Sequence, residues 1–246
     1  MNFASAFTAE RLQEAWICLQ TEFPFAIWET VYSTLLATLF AVVLGLPLGV
    51  LLVTGEQKGI RPLPRSVMSF LNVLINLLRS VPFIILMVMI IPLTRVIVGT
   101  SVGTVASIVP LTVAAFPFIA RLVESSLREV NPNIIETAQS MGASPWQIVV
   151  HVMLPESVPS LITNITLANT TIMGYTAMSG AVGGGGLGKL ALAYGYQRYR
   201  FAVLYLAVIV LVVITQVIQS FGTWLAAKCD KRLLKQRGIR RSAKSS

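Results

Sequence analysis

Residues 131–155 read NPNIIETAQSMGASPWQIVVHVMLP. Asn131 can cap a helix whose first position is Pro132, the place where a missing N–H does no harm. Ile134, Ile135, Ala138 and Met141 give that helix an apolar face, and Gly142 supplies the left-handed residue that ends it. Ser144 then caps a second helix with Pro145 at its first position. Trp146, Val149, Val150 and Met153 carry it on to Pro155. The expectation is two short helices turned on each other, a knuckle inside a 37-residue segment spanning 121–157.

Outward from the knuckle the chain is strongly apolar. Its 246 residues are 55% hydrophobic and only 12% charged, with a mean hydropathy of +0.75. Soluble domains carry about a quarter charged residues, so this composition is that of a membrane protein. A spanning helix needs roughly 20 apolar residues at ~1.5 Å each. Five stretches qualify, at about Trp28–Val53, Val67–Leu93, Val102–Ala120 (interrupted by Pro110 and Pro117), Val158–Gly180 and Phe201–Ala227. Residues 1–27 lack a basic start and a cleavage site, so they are not a signal peptide. Positions 9–20 are expected to form a short interfacial helix. The chain thus divides into an N-terminal segment 1–27, a membrane domain 28–227 and a basic tail 228–246. Cys18 and Cys229 lie at opposite ends and His151 is the single histidine, so no metal-ligand spacing or disulfide framework is visible.

The net charge of +9 first raises the possibility of a nucleic-acid partner, but its distribution argues otherwise. Counting Lys and Arg between spans places 13 on the side of the 121–157 segment and the C-terminus, and 5 on the other. By the positive-inside rule the knuckle and the tail are cytoplasmic and the N-terminus is outside. The tail from Lys228 carries +7 of the total, which makes it a stop-transfer tail in reach of anionic lipid and leaves no basic face for nucleic acid. The knuckle segment is mildly acidic, with Glu124, Glu129, Glu136 and Glu156 against Arg121 and Arg128. A hairpin lying on the membrane favours Lys and Arg on its polar face. This one suits a groove on a partner protein.

Here the sequence resembles a family. Permease subunits of bacterial ABC importers carry E-A-A, three residues, Gly, nine residues, Ile, one residue, Leu-Pro. The chain has Glu136-Thr137-Ala138, Gly142 and Val152-Met153-Leu154-Pro155 at that spacing, with Thr137 for Ala and Val152 for Ile. Arg79-Ser80-Val81-Pro82-Phe83, Ile91-Pro92-Leu93-Thr94-Arg95, Gly174-Tyr175-Thr176-Ala177-Met178 and the run Gly180 to Gly188 look like methionine-importer permeases. Lys189 departs from the polar or acidic residue usual there. The resemblance implies an all-α, five-span type I ABC importer permease with a cytoplasmic coupling-helix loop. It assigns ATPase coupling to Glu136, Ala138, Gly142, Ala143, Ser144, Pro145, Trp146, Leu154 and Pro155. It further implies a homodimer, two cytoplasmic ATP-binding subunits that hold ATP and Mg, no cofactor on this chain, and an extracytoplasmic methionine-binding lipoprotein.

Gly183 to Lys189 nearly matches a phosphate loop, but Leu190 stands where Ser or Thr must hold magnesium, and a span, not a strand, precedes it. A closely packed turn at the outer mouth is the better reading.

A transport pathway needs polar side chains that lipid would penalise. Asn72, Asn76, Arg79 and Phe83 fall on one face of the second span. The fourth span is the most polar, and Asn164, Ala168, Thr171, Tyr175 and Met178 follow helical spacing along it. Arg79, Asn164, Thr171, Tyr175 and Met178 are the pathway candidates, with Met178 as a gate; for the span's polar residues, interhelical hydrogen bonding is the plain alternative. Arg79 has three readings: it meets a substrate carboxylate, pairs with a neighbouring span, or snorkels. Five helices are too few to enclose a path, so two copies are expected to pair. The expected function is ATP-driven import of methionine, in L and D forms, across the inner membrane. Another amino acid, cystine or a short peptide stands as the alternative cargo. A secondary transporter is the alternative class, although the later spans lack the carboxylates it needs.

Overall fold

A computed structural model describes residues 9–57 and 59–230. Residues 1–8, Lys58 and the basic tail beyond Asp230 lie outside the described residues. The chain is helical: α1 (Ala9–Thr21), α2 (Phe23–Thr54), α3 (Arg65–Ser80), α4 (Phe83–Met89), α5 (Ile91–Val98), α6 (Thr104–Arg128), α7 (Pro132–Ser140), α8 (Pro145–Ile148), α9 (Leu154–Ser179), α10 (Gly186–Lys189) and α11 (Phe201–Cys229). No strand occurs among the described residues.

Four helical rods are long and apolar enough to cross a membrane: α2, α6, the run Pro145–Val182 and α11. The expected second span, Val67–Leu93, is corrected: it is broken, and α3 and α4 meet at 103°. The cause is Pro82. Its ring pushes Val81 out of the helical region, to φ −77° and ψ 124°, and it has no N–H to continue the ladder. A second break at Ile90, just before Pro92, starts α5.

The 121–157 segment is corrected in the opposite sense. α6 runs past Ala120 to Arg128, so Arg121, Glu124 and Arg128 sit on a helix rather than in a loop. The knuckle's second helix does not stop at Pro155 either. It passes through a wider π-helical turn at Val149–Met153, where the N–H of Leu154 bonds the carbonyl of Val149, and continues as α9. The widened turn makes room for a proline ring that an α-helical register would press against the preceding turn. Pro110 and Pro117 likewise lie within a continuous α6.

The centre of the bundle is the α2–α6 seam. Thr30, Thr34, Ala37, Ala41, Gly45 and Gly49 make one buried stripe on α2. At Gly49 a Cβ would lie 2.6 Å from Cβ of Val123 and 2.7 Å from the carbonyl oxygen of Ala120. Such small residues allow backbones to approach closely where lipid offers no hydrophobic drive between helices. The opposite face of α2, with Leu35, Leu39, Phe40, Val43 and Leu44, is exposed and suited to acyl chains. α9 completes the core: Thr34 and Thr176 hydroxyls are 3.1 Å apart, and Asn169 Nδ2 donates to Thr38 Oγ1 at 3.0 Å. A second cluster around Phe23, Leu187, Leu190 and Val203 joins α1, α2, α10 and α11 at the other end.

Candidate functional site

The knuckle is built as its residues dictate. Asn131 Oδ1 accepts from the N–H of Asn133 at 3.0 Å and so caps α7. At the other end Gly142 N–H bonds Gln139 O at 2.9 Å and Ala143 N–H bonds Ala138 O at 3.1 Å, the paired bonds of a Schellman turn. Gly142 has φ +78° with nothing within 4 Å of a built Cβ, so backbone conformation and not space calls for glycine. Ser144 and Gln147 then form a reciprocal capping box, with Ser144 N–H on Gln147 Oε1 at 2.8 Å.

This geometry sorts the motif into two groups. Ala138, Ala143 and Leu154 pack inward beside buried Ile148, Val149 and Met153. Glu136, Ser144, Pro145, Trp146 and Pro155 are exposed. Trp146 is 72% exposed and Met141 83%. The apolar face of α7 divides: Ile135 and Ala138 pack against the core, whereas Ile134 is exposed and Met141, in the turn that leaves α7, points out. Beneath the knuckle lies a cleft of about 250 Å³, lined by Val53, Glu56, Ile60, Ile135, Glu136, Gln139 and Met153.

A second cleft, of about 200 Å³, opens where the broken span meets α6 and α9. Arg79, Phe83, Phe118, Thr171 and Tyr175 line it. Phe83 and Tyr175 stack with centroids 4.8 Å apart and planes at 8°. The Arg79 guanidinium stands 5.9 Å from the centre of the Phe118 ring. A charge is tolerable here because Arg79 falls in the last turn of α3, where free carbonyls and the helix dipole favour a cation. Three pathway candidates, Arg79, Thr171 and Tyr175, are therefore brought together. Asn164 is not: its amide donates to Ser126 Oγ at 2.8 Å and lines a separate hollow between α9 and α11. Met178 is 47% exposed and also lies outside the cleft. The polar fourth span divides by face, with Asn169 and Thr176 tied to α2 and Thr171 and Tyr175 turned to the cleft.

At the far end the glycine run is engaged by the chain itself. Glu29 Oε2 accepts from the N–H of Gly186 at 2.7 Å and Oε1 from Thr104 Oγ1 at 2.6 Å, while Leu187 N–H bonds Thr30 Oγ1 at 2.8 Å. A carboxylate occupies the place a phosphate would need, and the run ties α2, α6 and α10 into a packed turn.

One feature escaped the sequence reading. Arg121 Nη1 donates to Glu124 Oε2 at 2.7 Å and its Nη2 to Asn72 Oδ1 at 2.8 Å. Glu124 Oε1 accepts from Arg128 Nη2 at 2.7 Å, and both terminal nitrogens of Arg128 bind the carboxylate of Glu56. The i, i+3 and i+4 charge spacing on α6 was available as a signal. Partners 45 to 72 residues away were not.

The model of the binding-protein-dependent transport system inner membrane component family matches residues 45–235. A probable D-methionine transport system permease protein MetI of Vibrio cholerae serotype O1 is 45% identical over 221 residues, covering 88% of this chain and 96% of that relative. Its counterpart in Pasteurella multocida is 50% identical over 205 residues, covering 83% and 94%. A solved inward-facing structure of the MetNI methionine ABC transporter, in its CY5 native crystal form, is 40% identical. It covers 92% of this chain and 100% of that one, with a TM-score of 0.82.

Proposed function

The chain belongs to the family of binding-protein-dependent transport system inner membrane components, and from that premise we propose that it is the membrane-spanning permease subunit of an ATP-driven methionine importer. The observation that carries this reading is the knuckle: a doubly capped turn that keeps the motif's Glu136, and Trp146 beside it, outside the bundle for a partner to grip. The cargo follows from the relatives named for D-methionine transport, which align along more than four-fifths of this chain.

In this reading the knuckle faces the cytoplasm and the N-terminus lies outside, as the Lys and Arg distribution favours. Two copies pair, and each knuckle seats in one of two ATPase subunits, which bind ATP and Mg. ATP-driven closure of those subunits moves the knuckles and rocks the permeases between inward-open and outward-open states. An extracytoplasmic binding protein delivers substrate. The aromatic walls of Phe83, Phe118 and Tyr175 suit a thioether, since sulfur makes favourable contacts with ring edges. Arg79 offers the charge a substrate carboxylate needs.

The test is co-purification with the ATPase partner, then uptake of labelled methionine into vesicles containing the complex and the binding protein. ATP-dependent uptake that unlabelled L- and D-methionine suppress is expected. Suppression by cystine or peptides and not by methionine would move the cargo; ATP hydrolysis without uptake of any of them would reduce the chain to a scaffold.

A further inference from the structure

We propose that Arg121 is a positioning residue that links the knuckle to the pathway cleft. Its guanidinium holds α3, and with it Arg79, against α6, and Glu124 joins that guanidinium to Arg128 and Glu56 at the knuckle's base. This inference rests on the permease reading above and assigns residues to the transmission step.

The cleft end is set by α3. Asn72, Asn76 and Arg79 stand at i, i+4 and i+7, so they share one face. Asn72 Nδ2 donates to Met68 O at 2.8 Å, which turns its Oδ1 toward α6. Arg121 Nη2 takes that oxygen at 2.8 Å and the Oδ1 of Asn76 at 3.3 Å. One turn back along α6 is Phe118, the ring beneath Arg79. The wall of the cleft is therefore attached to α6 through amide oxygens gathered on a single guanidinium.

The knuckle end is a carboxylate relay. The side chain of Glu124 is only 12% exposed, and each of its oxygens is held by a different arginine. Arg128 grips Glu56 through two nitrogens, a forked pairing that fixes orientation as well as distance. Glu56 lines the cleft beneath the knuckle together with Glu136 and Gln139 of α7. The Arg128–Glu56 pair is half exposed, whereas Glu124 lies nearly buried between its two arginines, where removing one partner leaves a charge uncompensated. Arg128 is the last residue of α6, three before the Asn131 cap of α7, so a shift of α7 is passed along the chain to Arg128 and through Glu124 and Arg121 to the face of α3 that carries Arg79.

The test uses the assembled permease–ATPase complex in vesicles and reads methionine taken up per ATP hydrolysed. The double variant Asn72→Leu/Asn76→Leu removes the acceptors on α3 and leaves every charge in place. It is expected to lower uptake per ATP by about tenfold, within the range of ordinary coupling free energies. Co-purification with the ATPase should be unchanged. Asn72→Asp/Asn76→Asp keeps the acceptors and should restore the ratio, and Arg121→Lys, which lacks the fork, should resemble the leucine pair. Unchanged uptake per ATP in the leucine pair overturns the proposal. So does a loss of uptake only in step with lost assembly, which is what a simple structural staple would give. The link is also read without cargo, by thiol labelling of Leu78→Cys in the cleft, in a Cys18→Ser/Cys229→Ser background. ATP should alter labelling in the parent complex and not in the leucine pair. If the parent shows ATP-dependent labelling but no methionine uptake, the cargo reading fails while the link is still tested; equal ATP responses in both overturn the link.

Discussion

The knuckle and the cleft at the broken span are made in opposite ways. The hydrogen bonds that shape the knuckle's turns are short in sequence: Asn131 to Asn133, Ala143 to Ala138, Ser144 to Gln147. The cleft has no such ties. Its walls come from Leu78, Arg79 and Phe83, from Phe118 on α6, and from Thr171 and Tyr175 on α9. The knuckle is a local object carried by the bundle, and the cleft exists only because the bundle packs. This separation makes the two open to independent damage.

The largest effect is expected at the knuckle's outer face. Trp146→Ala or Glu136→Lys should weaken ATPase co-purification roughly 30-fold or more, the scale of an interface anchor. Membrane insertion should persist, and ATP-dependent uptake at the normal rate by Glu136→Lys would count strongly against the coupling assignment. Next comes Gly142→Val, which forces a β-branched residue into the left-handed region at a cost of about 1–2 kcal/mol. Roughly tenfold weaker assembly is expected, with the stability of the membrane bundle unmoved; a drop in bundle stability would show that the knuckle is not the local object described here.

The cleft should respond the other way round. Tyr175→Ala removes a ring stack worth ~0.5–1.5 kcal/mol. A severalfold rise in the KM for uptake is expected with undiminished ATPase co-purification. Loss of assembly in this variant would merge the two regions. The smallest effect is expected for Met178→Ala, whose side chain is half exposed and outside the cleft of one chain. As a gate between two copies, Met178 should on truncation leak substrate from vesicles or raise ATP turnover without substrate; unchanged behaviour in both assays would remove the gate reading.

The contrast also explains what could be read in advance. Asn131, Pro132, Gly142, Ser144 and Pro145 announce caps and turns through their own backbone preferences, and the structure makes each one as expected. Pro82 carried an equally local signal, yet hydropathy summed over Val67–Leu93 hid the break it causes. Pro155 misled in the other direction, because a π-helical turn absorbed it. Arg79, Thr171 and Tyr175 stand out in the sequence as polar residues in apolar surroundings, and the fold brings them together. Asn164 and Met178 share the same periodicity, yet a helix advances ~1.5 Å per residue. Eleven positions along α9 therefore carry Asn164 away from Tyr175 to a different neighbour on α6.

By itself the sequence determined that the chain is built of apolar helices, the local shape of the knuckle and the uneven spread of positive charge. Each of these depends on transfer from water to lipid or on the φ and ψ of a few adjacent residues. The tertiary structure alone decided which polar residues share a cleft, that Glu29 occupies the glycine run, and that Arg121, Glu124 and Arg128 span from Asn72 to Glu56. Those outcomes depend on which faces of α2, α3, α6 and α9 meet. That is set by the close approach at Gly49, by the bend at Pro82 and by hydrogen bonds between residues far apart in the chain.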